Sequence, residues 1–248
     1  MLWNNEHVFG LDTHVHTMLS GHSWSSLAEC VEQARLLGHR GICVTEHSAL
    51  LPNAPPEWMP ESQVMLPRFY RGVRIYRGLE ADILSMDGKL TPPEQYLKYL
   101  EFCIASIHGN EPGRSSTSQE RTACYLAALE NPYVDVLGHI DRTPCDMEAV
   151  VKAAKRLDKM LELNNQTMQR YLHGDMEASK RMLTLCKAHS VRICVGTDAH
   201  FHTMIGEFTM ALRALAEVDF PPELVLNYEF EAFDAYIMAR RERLHVLD

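Results

Sequence analysis

The chain carries thirteen histidines, and seven of them fall on or just beyond the ends of short apolar runs: His14, His16, His22, His47, His108, His139 and His200. Glu80 and Asp198 hold comparable positions. His14-Val15-His16 has a physical sense, because residues i and i+2 of an extended segment point to the same side and can grip one metal ion together. Asp198-Ala199-His200 repeats the spacing. Imidazole-rich sets with few carboxylates suit zinc, manganese or iron, whereas calcium and magnesium prefer oxygen shells. Nine such side chains exceed what one ion can use and fit two or three ions with a bridging carboxylate. A single histidine after a strand is more often a solvated loop residue, so the weight lies in the joint placement. His7, His39, His173, His189 and His245 read as ordinary surface or helix-end residues, and His202 as ambiguous.

Those positions depend on the elements that carry them. Short β-branched runs alternate with stretches of helical period, the pattern of repeated βα units around a parallel sheet. The strands are expected at 8–12, 41–45, 73–82, 102–107, 134–138, 160–163 and 191–196. Ser25 or Ser26 caps a helix with apolar face Leu27, Cys30, Val31, Ala34 and Leu37, and Gly38 stops it. Further helices are expected at 118–130, 147–158, about 175–189, 206–217 and 230–241, with a proline-rich loop before Val73. Seven βα units predict one α/β domain over 1–248, a TIM-like barrel, with a doubly wound open sheet as the alternative. In a parallel barrel the C-terminal strand ends share one face, where such barrels do their chemistry. The nine side chains, drawn from six strand ends, would meet there.

Composition narrows the function classes. With 46% hydrophobic and 23% charged residues, the chain has ordinary globular composition. No apolar run approaches the ~18 residues of a membrane span, and the first residues read as no secretion signal. Net charge −9 disfavours a stable nucleic-acid complex or an anionic membrane as partner. The seven cysteines are odd in number and lack C-x-x-C spacing, so they read as buried small residues in a reducing cytoplasm. Oligomeric state is not legible.

The same residues resemble the motifs of the PHP superfamily, the polymerase and histidinol phosphatase group of metal-dependent phosphoesterases. Asp12 with His14-Val15-His16-Thr17 and His22 resembles its first motif, and Val44-Thr45-Glu46-His47 the second. Arg77-Gly78-Leu79-Glu80-Ala81-Asp82, the lone His108, Val136-Leu137-Gly138-His139 and Gly196-Thr197-Asp198-Ala199-His200 follow in the family's order. The likeness is greatest to its small stand-alone phosphatases, with a trinuclear site on a distorted (β/α)7 barrel. The resemblance implies three divalent transition-metal ions, zinc first, with manganese or iron as alternatives. One would be held by His14, His16, Glu80 and Asp198, a second by the bridging Glu80 with His108 and His139, and a third by His22, His47 and His200. Departures are Glu46 where many members have Asp, Ile140 where the small phosphatases often have Pro, and Val64 where they often have Arg.

The implied activity is hydrolysis of a small phosphorylated metabolite, a phosphate monoester, by a metal-activated hydroxide at neutral pH. Glu80, Asp198 and His200 are the residues expected at the reacting centre. With only Glu80 and Asp198 against three dications the mouth would be electropositive, and Arg142, Arg114, Arg68 and Arg71 are candidates for a phosphate clamp. No general acid for the leaving group is evident, and His202 is no more than a guess. The alternatives are histidinol-phosphate hydrolysis, then a nucleotidase or exonuclease. The exonuclease draws on Glu130-Asn131-Pro132-Tyr133-Val134-Asp135, a run resembling PHP domains attached to DNA polymerases. A metal-binding module without turnover is the reading from a different class.

Overall fold

Parallel strands pair in chain order around an almost closed barrel. The structure, a computed structural model, describes residues 3, 9–48, 50, 53–108 and 116–247. In order these form β1 (Leu11–Val15), α1 (Leu27–Leu36), β2 (Gly41–His47), α2 (Met59–Ser62), β3 (Phe69–Tyr70), β4 (Val73–Ile83), β5 (Leu90–Thr91), α3 (Glu94–Leu97) and β6 (Phe102–Ser106). Then come α4 (Ser118–Leu129), β7 (Val136–Leu137), α5 (Met147–Leu157), β8 (Met160–Asn164), α6 (Glu177–His189), β9 (Ile193–Gly196), α7 (Thr209–Glu217) and α8 (Phe230–Leu244). The sheet runs β1-β2-β4-β6-β7-β8-β9, with β3 and β5 as short antiparallel additions to β4. This is the distorted TIM-like barrel of seven parallel strands, not an open sheet. No helix among the described residues is long and apolar enough to cross a membrane.

Two helix starts follow directly from local chemistry. Ser26 with Glu29, and Thr117 with Glu120, each form a reciprocal capping box at the head of α1 and α4. The paired side chains satisfy amide groups that have no intrahelical partner. Six of the seven cysteines are buried and act as small core residues.

The seam between β1 and β9 is where the barrel is distorted. The strands meet through one parallel bridge, Val15 with Ala199, and through the Ala199 amide donating to His14 O at 3.2 Å and the His16 amide to Ala199 O at 2.9 Å. Elsewhere side chains satisfy the buried backbone. Asn227 Oδ1 accepts from the Val195 amide (2.9 Å), while its Nδ2 donates to Leu11 O (3.0 Å) and Val195 O (2.8 Å). Asp12 accepts from the amides of His14 (3.2 Å) and Thr197 (3.1 Å) and from the Thr197 hydroxyl (2.5 Å). Buried amides and carbonyls must find partners, and these two side chains stand in for a missing stretch of ladder.

Inside the barrel, Leu11, Cys43, Tyr76, Phe102, Ile104, Val136, Met160 and Cys194 form one layer, and Phe233 and Ile237 of α8 seal it from below. Apolar packing therefore closes the N-terminal end of the strands and leaves chemistry to the other. Arg240 fixes the seal. Its guanidinium is buried and donates to Asp135 Oδ1 (2.7 Å), Leu100 O (2.6 Å) and Tyr133 O (2.7 Å). Removing one partner of a buried ion pair strands the other charge, at a cost of about 3–5 kcal/mol. Arg240→Met is expected to lose that much stability in urea unfolding, with turnover per folded molecule unchanged. A loss below about 1 kcal/mol would show that α8 is held by its apolar face alone.

Candidate metal centre

β1 runs three residues beyond the expected end, so His14 lies within the strand and His16 one residue past it. The polar letters of Thr13-His14 look like loop, but both side chains, like Asp12 before them, are buried, because they stand in the barrel mouth. His47 ends β2, Glu80 lies in β4, and His108, His139, Asp198 and His200 follow β6, β7 and β9. His22 stands on the rim in the loop after β1.

The structure brings all nine expected side chains into one mouth, with five of the histidines directly against Glu80. Glu80 Oε1 lies 3.0 Å from His108 Nε2 and 2.9 Å from His139 Nε2. Its Oε2 lies 3.0 Å from His47 Nδ1, 3.4 Å from His14 Nε2 and 3.5 Å from His16 Nε2. Asp198 Oδ1 is 3.1 Å from His16 Nε2 and 3.6 Å from His14 Nε2. On the outer side His200 Nε2 faces His22 Nε2 at 2.9 Å, and the ring of His47 stacks between those of His16 (4.2 Å) and His22 (4.8 Å). Three sets have ligand atoms close enough to share an ion: His14, His16, Asp198; His47, Glu80, His108; and His16, His47, His200. His16 and His47 thus belong to two sets each.

Hydrogen bonds from below orient the rings. The Nδ1–H groups of His14, His16, His108 and His200 donate to Glu162 Oε1 (2.5 Å), Ser20 Oγ (3.1 Å), Asp82 Oδ1 (2.6 Å) and the Asp198 carbonyl (2.9 Å). Ser20 can accept because its own hydroxyl proton goes to Glu46. Each ring therefore presents an Nε2 lone pair to the mouth. With both rings neutral, His14 and His16 would point theirs at each other across 3.0 Å, which is repulsive unless a proton or a metal cation lies between them. Glu80 Oε2, Asp198 Oδ1, His47 Nδ1 and His108 Nε2 are buried with no hydrogen-bond partner. Orphaned, mutually facing donor atoms are what a divalent metal fits.

The electrostatics agree. Burial alone would raise Glu80 and Asp198, but the imidazoles around them, with Arg142 beside Asp198, hold both carboxyls well below their usual range. Burial pushes His16, His22 and His200 down, and His139 down to about 4. His14 goes the other way: burial opposes its charge, yet Glu162, Glu80 and Asp198 outweigh it, and His108 is likewise raised, to about 10. In the bare protein these two imidazoles supply the positive charge the carboxylates require. Metal ligation replaces such protons.

Glu162 is the functional residue that sequence reasoning missed. The sixth strand contributed nothing to the expected site, yet Glu162 Oε1 takes the His14 proton while Oε2 accepts from the His139 amide (3.0 Å) and Asn164 Nδ2 (3.2 Å). The signal was present in Met160-Leu161-Glu162-Leu163-Asn164: alternating polar residues in a strand buried throughout must face a polar interior. Glu162 and Asp82 also lower the electropositive excess expected from Glu80 and Asp198 alone. Outer carboxylates of this kind are typically worth 10–100-fold in affinity or activity. Glu162→Gln should therefore weaken metal retention roughly 10- to 100-fold, read by competition with a chelator. Unchanged retention would make it a packing residue.

Glycines let these pieces approach. A Cβ on Gly196 would lie 2.6 Å from His14 Cβ and 2.8 Å from Glu162 Oε1. His139 and Asp198 adopt left-handed backbone (φ 30° and 55°), a conformation costing a non-glycine residue ~1–3 kcal/mol and concentrated at functional sites.

Of the three described arginines expected to clamp phosphate, one reaches the mouth. Arg142 Nη2 donates to Asp198 Oδ2 (2.6 Å), its Nε to Thr167 Oγ1 (2.9 Å), and its guanidinium lies 3.9 Å from the Tyr171 ring. It borders a cavity of about 440 Å³ together with His22, His47, His108 and His200. Arg68 and Arg71 are corrected: both lie by the β3–β4 hairpin at the opposite, N-terminal end of β4. Arg71 pairs with Glu32 (2.9 Å), and Arg68 borders a cavity with Arg74, Arg77 and Glu101. Proximity to the proline-rich loop misplaced them, because that loop returns to the bottom of the barrel before β4. Arg114 lies outside the described residues. His202 does not border the mouth cavity, its Nδ1 bonded to Ser25 Oγ (2.9 Å).

With this geometry in view, the chain can be set beside known proteins. A family model described as the PHP domain matches residues 12–169. A probable phosphatase of Acetivibrio thermocellus is 38% identical over 240 residues, covering 95% of this chain and 98% of the relative. A probable phosphatase of Clostridium acetobutylicum is 35% identical, covering 93% and 95%. The structure of histidinol phosphate phosphatase from Lactococcus lactis, complexed with zinc, L-histidinol and phosphate, superposes with a TM-score of 0.62 at 21% identity, covering 85% of this chain and 94% of that one. That last likeness concerns the fold alone. Family match, near-full-length relatives and assembled histidine–carboxylate mouth agree: the chain belongs to the PHP domain family and is a hydrolase of the phosphatase kind.

Proposed function

We propose that this protein hydrolyses a small phosphorylated metabolite, a phosphate monoester, in the cytoplasm, with three divalent transition-metal ions, zinc first. The observation that carries the reading is the convergence of nine such side chains on one mouth, where the buried Glu80 Oε2, Asp198 Oδ1, His47 Nδ1 and His108 Nε2 have no hydrogen-bond partner. His14, His16, Glu80 and Asp198 would hold one ion, Glu80 with His108 and His139 a second, and His22, His47 and His200 a third. Ions bound in such sets lower the pKa of a coordinated water toward neutrality and neutralise charge on a phosphoryl group.

The chain's own groups do the rest. Glu162, Ser20, Asp82 and the Asp198 carbonyl lock four imidazole tautomers, so that no ring must reorganise during reaction. Arg142 is pinned by Asp198 and Thr167 and supplies a fixed cation at the cavity for a non-bridging phosphate oxygen. The apolar layer below the site and its seal by Phe233 and Ile237 keep bulk water from the floor of the mouth.

The deciding experiment is reconstitution. Chelator treatment should abolish release of phosphate from a generic aryl phosphate, and zinc or manganese should restore it, with elemental analysis approaching three ions per chain. One ion or fewer per active chain would sink the trinuclear assignment. Full activity in the metal-free protein would sink the reading itself.

A further inference from the structure

A second cavity of about 240 Å³ opens from the mouth, sharing His22, Tyr171, Asp198 and His200 with the first. Trp24, Phe201, Arg170, Gln166 and Met204 complete its wall. Trp24 is 80% exposed, Tyr171 59% and Phe201 43%. Scattered singly, exposed aromatics carry no meaning; gathered on one cavity beside a reacting centre, they mark recognition surface. Three different segments contribute them. Trp24 comes from the loop after β1, where its amide donates to His200 O at 2.9 Å. Phe201 follows His200, and Tyr171 ends a π-helical turn, Thr167–Tyr171, a rare conformation frequent at functional sites. The charge in this cavity is one-sided. Asp198 is already engaged by Arg142, whereas Arg170 is exposed and, among the described residues, has no hydrogen bond or ion pair. It borders both this cavity and a third of about 170 Å³ beyond it.

We propose that this cavity is the leaving-group subsite, and that it takes the alcohol portion of the ester as a flat aromatic ring carrying an anionic substituent, the ring lying among Trp24, Tyr171 and Phe201 and the anion meeting Arg170. The inference rests on the phosphatase reading above: water adds to phosphorus, the P–O bond to the ring-bearing alcohol breaks, and that alcohol departs with a proton. A saturated polyol would leave the Trp24 and Phe201 rings, and the side of Tyr171 not covered by Arg142, in water, and a cationic alcohol would meet Arg170 with like charge. A π-face gains from stacked or edge contacts beyond its buried area.

The test compares benzyl phosphate with cyclohexylmethyl phosphate, two primary alkyl esters of similar leaving-group basicity, on the zinc- or manganese-loaded protein. The wild-type protein should prefer the aromatic ester by roughly tenfold in kcat/KM, and Trp24→Ala or Phe201→Ala should shrink the ratio toward one. Adding a 4-carboxylate to the benzyl ring should gain roughly threefold more, a gain lost in Arg170→Gln. Binding of 4-carboxybenzylphosphonate gives a readout without turnover: it should quench tryptophan emission in the wild-type protein and not in Trp24→Phe. Equal kcat/KM for the aromatic and saturated esters, or a ratio unmoved by Trp24→Ala, overturns the subsite. Equal values with and without the carboxylate remove Arg170 from it. If no ester releases phosphate, the phosphatase reading has failed instead, and the emission titration alone decides for or against the subsite.

Discussion

Glu80→Gln is expected to lower turnover of an aryl phosphate by on the order of a thousandfold, several kcal/mol of lost charge stabilisation at tenfold per 1.36 kcal/mol, and to lower the bound metal by at least one ion. Both oxygens of Glu80 are committed, Oε1 toward His108 and His139 and Oε2 toward His47, His14 and His16. An amide would turn an N–H toward lone pairs and remove the one negative charge common to both sides of the cluster. Glu46→Gln is the control, one residue before His47 and also buried. Glu46 accepts from the Thr17 amide (3.1 Å) and hydroxyl (2.5 Å) and from Ser20, and burial raises its carboxyl to about 7. It reaches the metal-type side chains only through Ser20 and His16, so its replacement should cost about tenfold or less. Parallel kcat/KM and metal analyses of the two variants check this. Comparable losses would place the bridge elsewhere.

His47→Ala is expected to leave the fold intact and about two ions bound while weakening phosphate inhibition and turnover by on the order of a hundredfold. His22, His47 and His200 supply imidazoles and no carboxylate, so an ion held by them has the least charge compensation and depends most on an anion to complete its shell. The structure adds that His47 faces two ways, its ring stacked between His16 and His22 while Nδ1 lies 3.0 Å from Glu80. Loss of two ions rather than one would mean that it also serves the Glu80 pair. Turnover and product inhibition at wild-type levels would leave the outer set without a catalytic part, and the chemistry would rest on two metals.

Much of the barrel was legible because it rests on local signals. Short β-branched apolar runs, a cap at Ser25 or Ser26 and Gly38 after α1 act within a few residues of one another. The two-residue strands β3 and β5 were not legible, since each exists only by pairing with β4. The extension of β1 through Val15 was hidden for a related reason: Thr13 and His14 are polar letters that become strand when a mouth lined with partners buries them.

Amino-acid order alone determined which side chains could meet. A strand's C-terminal end is a place in the sequence, and parallel βα repeats carry all such ends to one face, so nine metal-type residues converge without any knowledge of side-chain directions. What that order could not supply was distance across the barrel. Which imidazole nitrogen faces inward depends on Glu162, Ser20 and Asp82, partners 148, 4 and 26 residues away from the rings they hold. Arg142 was separated from Arg68 and Arg71 by the path of a loop, and Trp24, Phe201 and Arg170 became neighbours by closure of β1 on β9 and the π turn after β8. Hydrogen-bond direction and pocket shape fall off within a few ångströms, and separations of that size between distant segments are decided only when the barrel closes.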